Sequence, residues 1–492
     1  MKERKNNIFL DHFALLLFIA GFFLLVTYLI VKRNAPFYDW DESIYAQVGR
    51  EMMRGKSFLV PLWQGRPWLD KPPIPSLFYG VVELLPFAPE ITTRIATLIL
   101  SCVTLVFLYI LGLRVTKSKT ISLLSIIITA FLPIYFQRSQ ALNVDVFLLL
   151  GWLGYVLWYD NLFASVVFLL IATLSKSLLG FFPPVMFLGY HLFEYITKEI
   201  SRKQFVSRLK HLGIQVGISS IWFLGMLLVY RYDFIQYHFI DSHLKRVTAS
   251  IEQHFGQRTF YVTVLIDQFK LLLIPAFLSI GYLTYSFFKN KKERYMTLLA
   301  VFFVPWFVFL NLTKTKIEWY IYPVLPQFAL LATYPLTFFR KKTIVLICAT
   351  IVMGIFYFMT VTPINSLLTQ PFSTLEDHQL IAMDAKKNNC SKLYVLVGSD
   401  TRSSYKTLKS MDLVISTTTW WGNHPSIAYY ADINTTYLYD VKQAINKLKQ
   451  LKDNNCAIIE KNDLPLFFYI KLPPIIPVNN NTYLLFKLVN FY

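Results

Sequence analysis

Three carboxylates, Asp39, Asp41 and Glu42, fall within four positions just after the first long apolar run. A carboxylate so placed can accept a proton from an attacking hydroxyl or amine. The plain alternative is a helix cap. Residues 44–54 pattern as an amphipathic surface helix with Ile44, Tyr45, Val48 and Met52 on one side, and Asp41 or Ser43 stands where a short acceptor satisfies free N–H groups. Three acids exceed what one cap needs. Further on, Asp70-Lys71 precedes Pro72-Pro73, which sets Lys71 at a rigid helix entrance, with snorkelling to lipid headgroups as the competing role. Arg138 lies seven residues before Asp145, Lys176 sits between two apolar runs, and Lys314 and Lys316 share a short loop. His243, Lys245 and Arg246 form a second basic cluster. Charge near membrane depth is expensive and usually functional; interfacial anchoring and a solvated helix face are the ordinary alternatives.

The elements that must position these residues are membrane spans. The chain has 492 residues, 55% hydrophobic, 17% aromatic and 16% charged, with mean hydropathy +0.45. Soluble domains run at roughly 45–50% apolar and about 25% charged, so a water-soluble multi-domain enzyme is excluded, as is a disordered or disulfide-stapled chain. Eleven runs approach the roughly 20 apolar residues of a spanning helix: 8–31, 91–113, 120–136, 141–159, 161–174, 177–196, 211–231, 262–288, 295–311, 318–339 and 343–361. The fifth is short and pairs with the fourth as a tight hairpin. The first follows a basic start and reads as an uncleaved anchor.

Forty-eight Lys and Arg against 29 Asp and Glu leave a net charge of +19. With a cytoplasmic N-terminus, the inside segments carry 18 Lys or Arg, whereas the short outer loops carry only Arg138, Lys176, Lys314 and Lys316. Insertion topology therefore accounts for the charge, and no nucleic-acid partner is needed. Outside lie 32–90, 232–261 and a tail from about 362 to 492.

The tail alternates β-type runs (393–397, 413–418, 436–439, 457–460, 483–489) with helical stretches, the clearest at 441–453. The expected fold class is an α-helical polytopic membrane protein of eleven to thirteen spans, residues 1–361, followed by a small extracytoplasmic α/β domain, residues 362–492. Cys390 and Cys456 each precede a β-type run, and a disulfide joins them if those strands are neighbours in an oxidising compartment. Cys102 and Cys348 read as packing residues. Trp420-Trp421-Gly422-Asn423-His424 has the composition of a sugar-stacking loop, with a packed loop the plainer reading. No internal repeat and no Gly-rich phosphate loop is visible.

The segment Asp41-Glu42-x-x-Tyr45-Ala46, followed by Asp70-Lys71-Pro72-Pro73, resembles the C-type (GT-C fold) bacterial membrane glycosyltransferases, above all the aminoarabinose transferases that modify lipid A and the protein O-mannosyltransferases. The likeness continues in order through 141–145, where Asp145 matches the second acidic loop. It runs on through 174–177, where Lys176 matches a Lys-Gly lysine but Ser177 replaces the glycine, then 239–246, and then 314–320 with Pro323. It covers about 32–335 and leaves the tail less constrained.

The resemblance implies a sugar donor on a polyprenyl phosphate and single displacement with inversion. Asp41 is then the residue that deprotonates or orients the acceptor nucleophile, and Asp145 positions the acceptor or a sugar hydroxyl. Lys71, Arg138, Lys176, His243 and Lys316 are candidate phosphate ligands, with Tyr320 reaching the phosphate through its hydroxyl. Glu42 and Asp70 orient neighbouring cations. Fixed cations stabilise a phosphate leaving group best where water is excluded.

No nucleotide sugar is needed, and a metal is not implied. Asp39, Asp41, Glu42 and Asp70 offer oxygen ligands for a divalent metal, which the sequence leaves open, while His238, His243 and His254 are too loosely spaced for a helical zinc pair. The acceptor, whether lipid A, another lipid, a protein hydroxyl or a growing glycan, also stays open. Two readings compete with an enzyme: a transporter or flippase of lipid-linked sugars, and a non-catalytic envelope-assembly protein. Transporters place their sites near the bilayer midplane, often between repeated halves; here the ionisable residues cluster in outer loops and at span ends.

Overall fold

The computed structural model describes residues 12–369, 374–450, 454–469, 471 and 473–487, with backbone alone at 362–364 and 367–369. The basic start at residues 2–5, the beginning of the 8–31 run and the ends of the 441–453 and 483–489 segments lie outside these. The chain divides into two compact units. One comprises Met1–Lys32, Thr93–Tyr230 and Gly256–Pro371; the other comprises Arg33–Thr92, Arg231–Phe255 and Phe372–Tyr492.

The first unit is helical. Six helices among the described residues are long and apolar enough to cross a membrane, or seven if the bent pair Lys291–Val301 and Val304–Leu312 is one span. Their exposed faces carry Leu24, Leu228, Leu278 and Phe358 at 66–79% exposure, a display suited to lipid. The count is below eleven because several apolar runs are broken. Run 120–136 becomes Lys119–Ala130 and Pro133–Arg138, separated where Pro133 starts a new helix. Run 318–339 becomes a 3-10 turn, the helix Leu325–Thr333 and another 3-10 turn, with prolines at 323, 326 and 335.

Run 141–159 is the short helix Asp145–Leu157, every residue of which is buried. It packs on Leu162–Lys176 as the expected hairpin. The helices approach so closely at Gly151 and Gly154 that an added Cβ would meet Ala172 at 2.7 Å and the Phe168 ring at 2.2 Å.

The second unit holds two loop regions, 33–92 and 231–255, and the tail. The helix Asp41–Arg54 buries Tyr45, Val48 and Met52 at no more than 6% exposure, so this apolar side faces protein and not a bilayer surface. It crosses Ile74–Val82 where Gly49 and Gly80 touch; a Cβ on Gly49 would lie 2.4 Å from the Ser76 carbonyl oxygen.

A hairpin of two-residue strands, β1 (Leu62–Trp63) and β2 (Arg66–Pro67), precedes it. The tail forms a five-stranded sheet ordered β4-β3-β5-β7-β6. It is built from β3 (Lys392–Leu396), β4 (Asn434–Leu438), β5 (Asn455–Glu460), β6 (Ile475–Ile476) and β7 (Tyr483–Lys487). β3 runs parallel to β4 and β5, and β7 antiparallel to β5. Leu396, Leu438, Leu448, Ile459 and Phe486 fill its core, Leu448 coming from the helix Val441–Lys449. Because β3 and β5 are neighbours, Cys390 and Cys456 meet in a disulfide, Cα atoms 5.7 Å apart.

One expected strand is absent. Residues 413–418 form a turn, because their backbone is claimed locally: the Thr418 amide donates to the Ile415 carbonyl at 3.1 Å, and the Ser416 amide to Asp241 at 2.9 Å.

Candidate functional site

In the helical unit one carboxylate organises two cations. Asp145 opens the helix Asp145–Leu157 and is 1% exposed. Asn143 shapes the turn before it, donating to the Arg138 and Ala141 carbonyls at 2.8 and 2.7 Å and accepting from the Val146 amide at 3.0 Å. Asp145 accepts from Arg138 at 3.1 Å through one oxygen and from the Lys176 ammonium through the other. The Lys176 ammonium also lies 4.4 Å from the Tyr320 ring centre, and the Arg138 guanidinium 5.0 Å from that of Trp319. Lys176 ends its helix, and Ser177 turns the chain at φ 56, ψ −129. The group carries one net positive charge behind aromatic walls, a setting for an anion.

Lys316 is placed differently. Its ammonium donates to the Leu310 and Asn311 carbonyls, both at 3.1 Å, at the C-terminal end of Val304–Leu312, and it is buried. A cation on carbonyls at a helix end is a stabilising cap, although the Leu310 carbonyl is shared with the Thr313 amide and hydroxyl. Lys314 is exposed.

In the second unit Asp41 starts the helix Asp41–Arg54 after Trp40, whose backbone sits at φ 66, ψ −114. Such a conformation is unfavourable for a non-glycine residue and clusters at functional positions. The N-cap position falls on Trp40, which makes no side-chain capping bond, and not on Asp41 or Ser43. The Ser43 hydroxyl donates to the Tyr38 carbonyl at 2.7 Å, and Glu42 accepts the Tyr38 amide at 2.9 Å, because the chain doubles back over the helix start. Glu42 is thus committed to the loop, while half-buried Asp41 stands at the positive helix end.

Asp70 is 4% exposed; it accepts from Trp68 Nε1 at 3.1 Å and from the Thr417 hydroxyl. Its other oxygen, Oδ1, is buried with no hydrogen-bond partner among the described residues. Burial pushes its carboxyl up to about 6, against the lowering effects of Thr417, Lys71, Trp68 and Arg246. A carboxyl shifted towards neutrality beside cations is a functional candidate in its own right, beyond orienting neighbours.

Lys71 and His243 are half-buried in this same unit. Arg246 pairs with Glu252 at 3.3 Å. Asp241, fully buried, receives the Ser416 amide and hydroxyl and Gln236 Nε2 at 3.0 Å, with Lys245 Nζ at 3.6 Å. Sequence reasoning passed over Asp241, Ser416 and Thr417. Asp241 lay inside the 239–246 segment, whereas the β-type pattern of 413–418 hid the two hydroxyls.

Trp421 packs between Trp63 and Trp68, ring centres 4.5 and 5.4 Å away, so the aromatic loop is a packed one. Gly422 at φ 65 allows it, since a Cβ there would strike the Tyr437 ring at 2.1 Å.

Asp39 does not join the other acids. It meets His424 Nδ1 at 2.7 Å, His378 Nε2 at 3.1 Å and the Ser426 amide at 3.1 Å. Burial alone would raise its carboxyl; the two imidazoles outweigh that and hold it well below the usual carboxylate range. Among the described residues this is the set of three side chains within ligating distance of one another; the four-acid oxygen cluster does not assemble.

No family profile matches the chain. It is 26% identical over 365 residues to an uncharacterised protein of Aquifex aeolicus, covering 68% of each chain. It is 22% identical over 343 residues to undecaprenyl phosphate-alpha-4-amino-4-deoxy-L-arabinose arabinosyl transferase 2 of Proteus mirabilis, covering 66% of this chain and 60% of that protein. A Pseudomonas savastanoi transferase of the same description is 25% identical over 339 residues, with 60% of its length covered. The match thus spans less than two thirds of these transferases.

The crystal structure of ArnT from Cupriavidus metallidurans bound to undecaprenyl phosphate superposes with a TM-score of 0.66 at 14% identity, over 97% of this chain and 98% of that one. The archaeal oligosaccharyltransferase AglB from Archaeoglobus fulgidus, solved with an inhibitory peptide and a dolichol-phosphate, gives 0.58 at 11% identity, over 92% and 70%. The expected architecture therefore holds: the chain is a multi-pass membrane protein with the C-type glycosyltransferase fold, and its transferase relatives in sequence are the aminoarabinose transferases.

Proposed function

We propose that the chain is an inverting membrane glycosyltransferase that moves a sugar from a polyprenyl-phosphate carrier to an acceptor on the extracytoplasmic face. The observation that carries this reading is the buried Arg138–Asp145–Lys176 group, whose net positive charge suits a phosphate. The acceptor oxygen or nitrogen attacks the anomeric carbon from the face opposite the phosphate, and the bond from that carbon to the phosphate oxygen breaks. The acceptor proton passes to Asp41. Arg138 and Lys176, with Lys71 and His243 as further cations, take up the charge growing on the leaving phosphate. Asp145 holds both cations in place before donor arrives, and Tyr320 keeps Lys176 against its ring. Asp70 serves as a proton-holding carboxyl beside Lys71.

The relatives named as arabinosyl transferases, and the undecaprenyl phosphate and dolichol-phosphate bound in the ArnT and AglB structures, support such a donor. The resemblance to aminoarabinose transferases that modify lipid A makes lipid A the first acceptor to test, ahead of protein and glycan acceptors. On this reading the N-terminus is cytoplasmic, and the tail, 362–492, is the extracytoplasmic domain. No metal is assigned a step.

The test is transfer by the full-length protein in liposomes, given an undecaprenyl-phosphate-linked aminosugar and lipid A and followed by mass spectrometry. Comparison of envelope lipids and glycans with and without the protein would identify the acceptor. Asp41→Asn should insert normally and lower transfer by roughly 10²–10⁴-fold. Undiminished transfer by that variant removes Asp41 from the chemistry. An envelope unchanged by loss of the protein overturns the reading.

A further inference from the structure

Asp39, His378 and His424 come from three separate stretches of the second unit: the loop before Asp41, the first turn of the helix Asp377–Lys387, and the loop before the helix Ser426–Ala431. The two imidazoles stack face to face, ring centres 3.9 Å apart and planes 13° apart, with His424 Nδ1 and His378 Nε2 turned to the same Asp39 oxygen. His378 is 3% exposed.

Two features disfavour a purely proton-linked contact. His378 Nε2 stands 3.1 Å from Asp39 yet makes no hydrogen bond of proper geometry. Its other nitrogen, Nδ1, is 3.4 Å from the Glu376 carboxylate, so an Nδ1–H turned to Glu376 leaves Nε2 with a lone pair beside a negative oxygen. A cation between Nε2 and the carboxylate removes both difficulties. The Glu376–His378 contact is then the outer carboxylate that orients a metal-bound histidine.

We infer that Asp39, His378 and His424 bind a divalent transition metal, zinc in the first instance, through Asp39 Oδ2, His378 Nε2 and His424 Nδ1. Two imidazoles and a carboxylate suit zinc at roughly 2.0–2.2 Å, with water as the fourth ligand. At that radius the ligand atoms stand about 3.4 Å apart, a small widening of the observed 2.7 and 3.1 Å. The ion ties the tail to the first outer loop two residues before Asp41, across the strained Trp40. Its role is positional, and it stands independently of the transfer reaction proposed above.

The experiment uses full-length protein in detergent, carried on an affinity tag free of histidine. Zinc loading, desalting and elemental analysis should return about one zinc per chain, and Co²⁺ in its place should give visible ligand-field absorption. Chelation should lower the thermal midpoint, and zinc should restore it. Glu376→Gln keeps an acceptor at the helix cap and should weaken zinc binding at least tenfold. His424→Ala and Asp39→Asn should abolish both stoichiometric zinc and the chelator response, while His254→Ala should keep both. Less than a tenth of a zinc per loaded wild-type chain overturns the inference, as does undiminished binding by His424→Ala and Asp39→Asn.

Discussion

Lys176 closes one helix and Asp145 opens another, and the hairpin between them brings the ammonium onto the carboxylate beneath Arg138. Both groups are nearly inaccessible to water, so neither charge is tolerable alone. Breaking such a pair by removing the carboxylate leaves the Lys176 ammonium buried and uncompensated, at about 3–5 kcal/mol, whereas removing Lys176 leaves Asp145 still paired with Arg138. Asp145→Asn should therefore lower the thermal midpoint more than Lys176→Met, and both should abolish transfer. The double variant Asp145→Asn/Lys176→Met should be more stable than Asp145→Asn and just as inactive. A double variant no more stable than Asp145→Asn alone would show that the pair is not the cause.

Ser177, directly after that lysine, occupies a backbone region that glycine adopts freely. Ser177→Gly should stabilise the protein by roughly 1 kcal/mol, seen as a higher melting temperature in detergent. Ser177→Ala separates loss of the hydroxyl from relief of the backbone and should bring no gain. Equal midpoints for glycine and serine would deny the strain.

Asp70 gives a pH signature. Burial raises its carboxyl from 3.8 to about 6, so protonation favours the folded state. The stability it contributes is present below pH 4, declines as pH rises through about 6, and is gone above that. Two units correspond to roughly 3 kcal/mol at most. Asp70→Asn should remove this dependence, so that its melting temperature gains on the wild type between pH 4 and 6.5. Thr417→Val, which deletes a hydrogen bond to the carboxylate, should move the window to higher pH. Parallel wild-type and Asp70→Asn curves across that range would contradict the assignment.

Cys390 and Cys456 close a loop with a sequence separation of 66. By the chain-entropy relation their bond stabilises the tail by roughly 4 kcal/mol. It also reports on topology, since such bonds persist only in an oxidising compartment. Thiol labelling of protein from cells should find both cysteines blocked until reduction, and reduction should make the tail sensitive to protease. Free thiols at both positions would place the tail in the cytoplasm.

The membrane class, the order of the apolar runs and the short fourth and fifth helices as a hairpin were readable from the chain. These are properties of composition and local spacing: burying an apolar run in lipid depends on which residues it contains, not on what lies beside it. The number of long spans was not readable, because proline breaks and packing decided whether runs such as 120–136 and 318–339 became one helix or several.

The partners of the charges were not readable either. Asp145 finds a lysine 31 residues away, Asp39 a histidine 385 away, and Asp70 a threonine 347 away in a stretch that patterns as a strand. Lys316 shows the converse, a conspicuous loop lysine whose ammonium donates to two carbonyls at a nearby helix end. Spacing along a chain says which chemistry is at hand. A hydrogen bond needs its atoms placed to within a few tenths of an ångström, and that placement comes only from the packed helices and sheet that hold both ends.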